Sequence, residues 1–223
     1  MTLPKITFST EQETDFYKVL RSRVNNYFKE KQISRHANAN MVFKTIFMLA
    51  LYLVPFGFIL FAELPNLVHY FMWVLMGFGM SGIGLSVMHD ANHGAYSKNE
   101  KVNKFIGKVI YFIGGSDVNW RIQHNVLHHT YTNIHGHDED LEAGRIIRFS
   151  KHSEWRWFHK FQHYYSVLLY GLLTINWAIT TDFLQMKRFM KKKLSHGKFP
   201  NPFVNWTKLL ISKILYFLFW IFI

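Results

Sequence analysis

Cysteine is absent from all 223 residues. That excludes disulfide scaffolds, iron–sulfur clusters, thiolate zinc sites and a thiol nucleophile. It does not fix the compartment, because a chain without thiols is silent about redox poise. Acidic residues are scarce as well, 14 Asp and Glu against 26 Lys and Arg, for a formal charge of +12. No internal repeat or low-complexity linker divides the chain. What is abundant is apolar surface and imidazole: 49% of residues are hydrophobic, 18% are aromatic and 13 are histidine. The apolar residues come in long blocks, so the positive charge points to anionic lipid surfaces and not to nucleic acid. A mean hydropathy of −0.01 averages an oily part with a polar one.

Met41 to Ala62 and Asn66 to Met88 are each close to the ~20 residues that cross a hydrocarbon core of about 30 Å as helix. Only Glu63, Leu64 and Pro65 separate them, which predicts an antiparallel transmembrane hairpin with both long ends on one side. That side carries Lys98, Lys101, Lys104, Lys108 and the seven Lys and Arg of Met1 to Asn40, while the turn carries none. The positive-inside rule places it in the cytoplasm. A secretory signal is excluded by the late start, the length and the missing cleavage pattern. Tyr165 to Ile179 is short, is interrupted by Thr174 and Asn176, and leads into Lys187, Arg188, Lys191, Lys192, Lys193 and Lys198. Charge bias therefore favours an interfacial or re-entrant helix there. Leu209 to Ile223 reads as a further span, and its end without a flanking polar residue suggests truncation. The run from Asn103 to Gly115 is too short to cross and should lie at the interface. Gly77, Gly79 and Gly82 match G-x-G-x-x-G, but inside a span they are read as small residues that let helices approach.

The polar region between Met88 and Tyr165 holds most of the histidine. His89-Asp90-Ala91-Asn92-His93 follows the second apolar run, and some 30 residues on comes Gln123-His124-Asn125-Val126-Leu127-His128-His129. Residues i and i+4 share a helix face, so His89 and His93 can point at one centre, as can His124 and His128. His129 lies about 100° further round and can reach a neighbouring centre. Five clustered imidazoles are costly when protonated, and neutral imidazole as a metal ligand resolves that cost. Five exceed one tetrahedral site, which indicates a dinuclear or an unfinished centre. The zinc-protease pattern H-E-x-x-H shares the spacing, but Asp90 replaces its Glu and the His124 cluster then has no task. An imidazole-rich site without thiolates suits iron that handles O2.

The segments His89-Asp-Ala-Asn-His93-Gly94 and Trp120-Arg-Ile-Gln-His124-Asn-Val-Leu-His128-His129, followed by Gly136-His137-Asp138-Glu139-Asp140, resemble the first two histidine boxes of membrane fatty acid desaturases. The resemblance runs from about Met41 to Asp182 and is closest to the linoleoyl-CoA or delta-6-type, front-end group. It implies an all-α integral membrane protein, with transmembrane helical hairpins and a cytoplasmic helical cap that carries the boxes. It also implies two iron ions in a non-haem centre, with O2 as co-substrate, that inserts a cis double bond into an acyl chain held in an apolar tunnel. The substrate is then an acyl-CoA or acyl-lipid. His89, His93, His124, His128 and His129 match the iron ligands residue by residue. The third box of the family has no counterpart, since no adjacent His pair follows His129, so the expectation is an incomplete desaturase domain that is inactive alone. No haem signature precedes the first span, so electrons are expected from a separate carrier, cytochrome b5-like or ferredoxin-type. The basic run near Lys187 either docks that carrier or meets lipid headgroups. A hydroxylase of the same superfamily and a non-catalytic metal- or lipid-binding membrane protein are the alternatives.

Asp90, Asp138 and Asp140 are candidate partners for the outer nitrogens of ligating histidines; capping and solvation account for them equally well. Asn92, His135 and His137 lie near the boxes. Trp120 and Arg121 either border the acyl tunnel, bind the substrate headgroup, or anchor at the interface. His36, His69, His152, His159, His163 and His196 match no box ligand and are read as structural.

Overall fold

The computed structural model describes residues 6–7, 15–141, 144–194 and 201–221, and among these every regular element is helical. His196 and Lys198 lie outside the described residues, as does the end of the last apolar run at residues 222–223. Helix α1 (Asp15–Glu30) collects Phe16, Leu20, Val24 and Tyr27 on one exposed face. Helix α2 (Ala39–Phe61) starts at Asn38, whose side chain accepts from the Met41 amide at 3.1 Å and satisfies an orphan donor of the first turn. Helix α3 (Asn66–Asn92) follows after a short turn at Pro65. Helix α4 covers residues 100–113, tightening to a 3-10 turn from Lys108. Helix α5 covers residues 117–131. Helices α6 (Trp157–Gly171) and α7 (Leu173–Lys191) meet at a 60° bend, and α8 (Pro202–Ile221) closes the described chain.

Helices α2, α3 and α8 are each long and apolar enough to cross a membrane, and most of each faces outward. Outward rows such as Phe61, Leu67 and Phe78 would be an aggregation hazard in water and suit lipid. The α2–α3 pairing is antiparallel and close. A Cβ on Gly79 would meet the Tyr52 backbone nitrogen at 2.6 Å, and one on Gly82 would run into the Met48 side chain. Two of the three glycines in the G-x-G-x-x-G pattern therefore serve helix approach, whereas Gly77 faces open space. The segment Tyr165 to Ile179 is divided by the α6–α7 bend, so no straight helix runs through it.

Two buried clusters hold the polar half against these helices. In the first, Tyr52, Met76, Ile83 and Met88 from α2 and α3 receive Ile110 and Ile113 of α4. The Tyr52 hydroxyl donates to the Phe112 carbonyl at 3.0 Å, so the one polar atom of that fully buried ring is satisfied. In the second, Val118, Ile122 and Leu127 of α5 pack on Met186 and Phe189 of α7 and Leu209 of α8. The run from Asn103 to Gly115 is thus folded onto the helical pair, and it delivers the chain from the first histidine segment to the second.

Gly79→Ala should lower the unfolding midpoint in detergent, since overpacking costs about 1–3 kcal/mol. Gly77→Ala, the same change on the same helix, should leave the midpoint unchanged or slightly raised. Paired thermal unfolding curves check this, and equal effects would contradict the packing described.

Candidate metal centre

Helix α3 does not stop before the first histidine segment; it runs through Met88–Asn92, so His89 is carried on a helix that continues from the apolar region. The stop comes at Gly94, whose φ of +74° is the left-handed conformation glycine adopts freely. Its amide donates to the Ala91 carbonyl at 2.9 Å, and that of Ala95 donates to Asp90 at 3.0 Å. This double closure is a Schellman ending. It fixes His93 as the C-cap, one turn from His89, with the rings 4.5 Å apart.

The second segment departs from α-helical geometry. Arg121–His128 winds as a π-helix, so residues five apart share a face. Ile122 and Leu127 fill the core at that spacing, and His124 and His129 meet on the opposite side with their Nε2 atoms 3.2 Å apart. His128 keeps its ring stacked on that of His124, with centroids 5.4 Å apart. His128 turns to the loop after α5, where Nδ1 lies 3.1 Å from Asp138 Oδ1 and 2.9 Å from Asp140 Oδ2.

His89, His93 and His124 place one nitrogen each within 4.8 Å of one another. Ligand nitrogens about 2 Å from one ion lie within roughly 4 Å of each other, so small rotamer shifts close these three on a metal. His129 sits 4.9 Å from His93, ring to ring. Trp120 stacks on His124 at 4.4 Å and meets His89 and His93 edge-on at 5.5 and 5.6 Å, forming an aromatic wall beside all three. Burial, then repulsion from His129, His93, His89 and His128, pushes His124 down to about 4. Burial, then His89 and His129, also lowers His93. Both present neutral nitrogen lone pairs at pH 7, the form a metal requires. Burial works against the ionised Asp138, but the amides of Asn133 and Asp140 and the His128 ring outweigh it and hold the carboxyl below its usual range. Burial raises Asp140. The atoms of His128, Asp138 and Asp140 also come within 4.8 Å of one another.

Residues 65–223 match the fatty acid desaturase family. The chain belongs to that family. Similar curated proteins include the sn-1 linoleoyl-lipid 6-desaturases of Arthrospira platensis (35% identical, covering 90% of this chain and 53% of that protein) and of Synechocystis sp. (33%, covering 84% and 52%). The acyl-lipid (8-3)-desaturase of Physcomitrium patens is 32% identical, covering 80% of this chain and 38% of that protein. The chain thus spans about half the length, or less, of these relatives. No solved structure matches it. Family and apolar helices together make it a helical membrane protein, and iron-dependent chemistry is what its family implies.

In this desaturase-family chain the other sequence candidates take defined positions. Asp90 lies 3.5 Å from His89 Nδ1 and 3.4 Å from Lys44. Asn92 points away from the imidazoles and donates to the Gly107 carbonyl at 3.1 Å, locking α3 on α4. Arg121 pairs with Asp117 one turn back, which also accepts from Tyr111. Its guanidinium borders a cleft of about 420 Å³ that reaches His93. Within the basic run, Arg188 binds Glu139 of the box loop at 2.9 Å, with Lys192 at 4.0 Å, leaving Lys187, Lys191 and Lys193 outward. Of the histidines read as structural, His159 bridges the Arg156 amide and the Arg145 carbonyl. His36 meets the Ala95 carbonyl. Sequence reasoning missed Asn125, which ties the segments together by donating to the Asn92 carbonyl at 2.9 Å. It also missed Asn119, Asp182 and Lys213. A lysine inside an apolar helix was the available signal for the last.

An unfolded chain protonates His124 near 6.5 and the folded site only near 4. Between those values the unfolded state binds more protons, so stability falls as pH drops. The unfolding midpoint of metal-free protein should decline from about pH 6.5 to about pH 4.5, and His124→Ala should flatten the decline. Unfolding curves at stepped pH measure this.

Proposed function

We propose that the chain forms the iron-binding, substrate-facing part of an O2-dependent acyl desaturase acting on acyl-lipid or acyl-CoA chains. The observation that carries the reading is the convergence of His89, His93 and His124, from two separated segments, against Trp120. The donor set fits iron: neutral imidazoles, no thiolate, and carboxylates held at the outer nitrogen of His128. His89, His93 and His124, with His129 beside them, would hold one ion, and His128 would contribute to a second. Bound iron supplies the activation of O2 that lets hydrogen be withdrawn from unactivated methylenes, which no side chain achieves.

The residues of the chain do the positioning. Asp138 and Asp140 at Nδ1 of His128 keep the proton there and free Nε2 as the ligand atom. Asp138 already accepts two backbone amides, which favours this outer role over direct ligation. Trp120 excludes water from one side of the imidazole cluster. The acyl chain enters by an apolar cleft of about 570 Å³ between α4 and α8, lined by Phe105, Val109, Phe112, Ile211, Leu215 and Phe219, with Lys108 and Lys208 placed for an anionic headgroup. The helices α2, α3 and α8 cross the membrane with the histidines on the cytoplasmic side, as the charge bias indicates. Lys187, Lys191 and Lys193 offer a docking face to a separate acidic electron carrier.

Anaerobic loading of the purified chain with Fe(II) tests the reading. We expect iron to be retained, His124→Ala and His128→Ala each to weaken retention at least ten-fold, and His163→Ala to leave it unchanged. Preferential retention of zinc, or equal loss in all three variants, would sink it. Product analysis of the active enzyme separates the related chemistry: an alkene supports desaturation and an alcohol a hydroxylase.

A further inference from the structure

Lys213 and Asp182 form an ion pair at 2.6 Å that is almost completely buried, with 4% and 0% of the two side chains exposed. Lys213 sits mid-way along α8, among residues facing lipid, where a charge is retained only with partners. Its ammonium also donates to the Gly114 carbonyl and, at 3.4 Å, to that of Trp177. Asp182 begins the helical stretch that follows the π-helical turn Trp177–Thr181, and its Oδ1 accepts from the Trp177 indole at 3.1 Å. The Asn119 side chain then donates to the Asp182 carbonyl at 2.7 Å and to its carboxylate at 3.2 Å. Asn119 is fully buried, precedes Trp120, and leaves its own Oδ1 without a partner among the described residues.

Stability alone does not account for this cluster. A buried ion pair gains little over an apolar pair of the same volume, because desolvation offsets the attraction. An unsatisfied amide oxygen adds a further cost. What an apolar pair cannot do is accept a hydrogen bond from Asn119 or donate one to Gly114. Those two contacts hold both ends of residues 114–119, the link through which α4 delivers the chain to Trp120 and His124.

We propose that Asp182 and Lys213 are positioning residues for the second histidine segment, acting through Asn119 to set the register of Trp120, His124 and His129 against His89 and His93. The inference rests on the metal-binding reading above. The pair transmits the placement of α8 to the imidazoles without touching them, which makes the site geometry depend on a helix that carries no ligand.

The test uses the purified chain with Co(II) as the metal probe, and three forms: Asp182→Leu/Lys213→Met together, Asn119→Ala, and wild type. The double variant should keep its unfolding midpoint within a few degrees of wild type, bind Co(II) at least ten-fold more weakly, and show an altered visible d–d spectrum. Asn119→Ala, which leaves the ion pair intact, should reproduce both metal effects. In metal-free protein, amide hydrogen exchange over residues 117–131 should speed up at least ten-fold in both variants while residues 66–82 stay unchanged. Wild-type affinity, spectrum and exchange in either folded variant would overturn the proposal. If wild type binds no Co(II) but exchange over 117–131 still accelerates, the metal reading falls and the positioning role stands. Should the double variant fail to fold, Asn119→Ala decides the matter alone.

Discussion

Crowded imidazole is the constraint on which this structure depends. Rings from four histidines approach within about 5 Å at the end of a long apolar helix. Were they all protonated, like charges in a weakly solvated site would repel strongly. Burial and mutual repulsion instead keep His124 and His93 neutral, and neutral imidazole is the form that binds metal. The same condition explains the surroundings: an aromatic wall at Trp120, and carboxylates set back at Nδ1 of His128 and, at 3.5 Å, of His89.

Bringing those rings together takes two different helix endings. The first segment uses a glycine closure, so His93 caps the helix one turn from His89, with the two rings 4.5 Å apart. The second uses π-winding, which puts Ile122 and Leu127 into one core and His124 and His129 into one site at the same five-residue spacing. In an α-helix the two sets would drift apart around the axis. The π segment is thus where the packing of Ile122 and Leu127 and the meeting of His124 with His129 share one period.

Polar anchors in apolar surroundings do the remaining work of alignment. Tyr52 fastens α4 to α2, Asn92 fastens α3 to α4, Asn125 joins the two histidine segments, and the Asp182–Lys213 pair ties α7 and α8 to Asn119. Apolar packing on its own allows helices to slide and rotate, since one methyl group replaces another at little cost. Hydrogen bonds made where water cannot substitute for them do not permit that freedom.

The sequence by itself determined a great deal. Block lengths set the apolar helices, and two histidine segments specified the family and the imidazoles that cluster. These are local properties, readable from spacing and residue type. It did not determine that His129 meets His124. An α-helical spacing grouped His124 with His128, whose rings do stack, and the five-residue winding that accompanies the packing of Ile122 and Leu127 on α7 and α8 also brings His129 beside His124. Nor could it tell that Asn92 braces α4, or that Lys213 has a partner 31 residues earlier in the chain. Those outcomes rest on contacts between elements distant in sequence, whose energies exist only once the helices have docked.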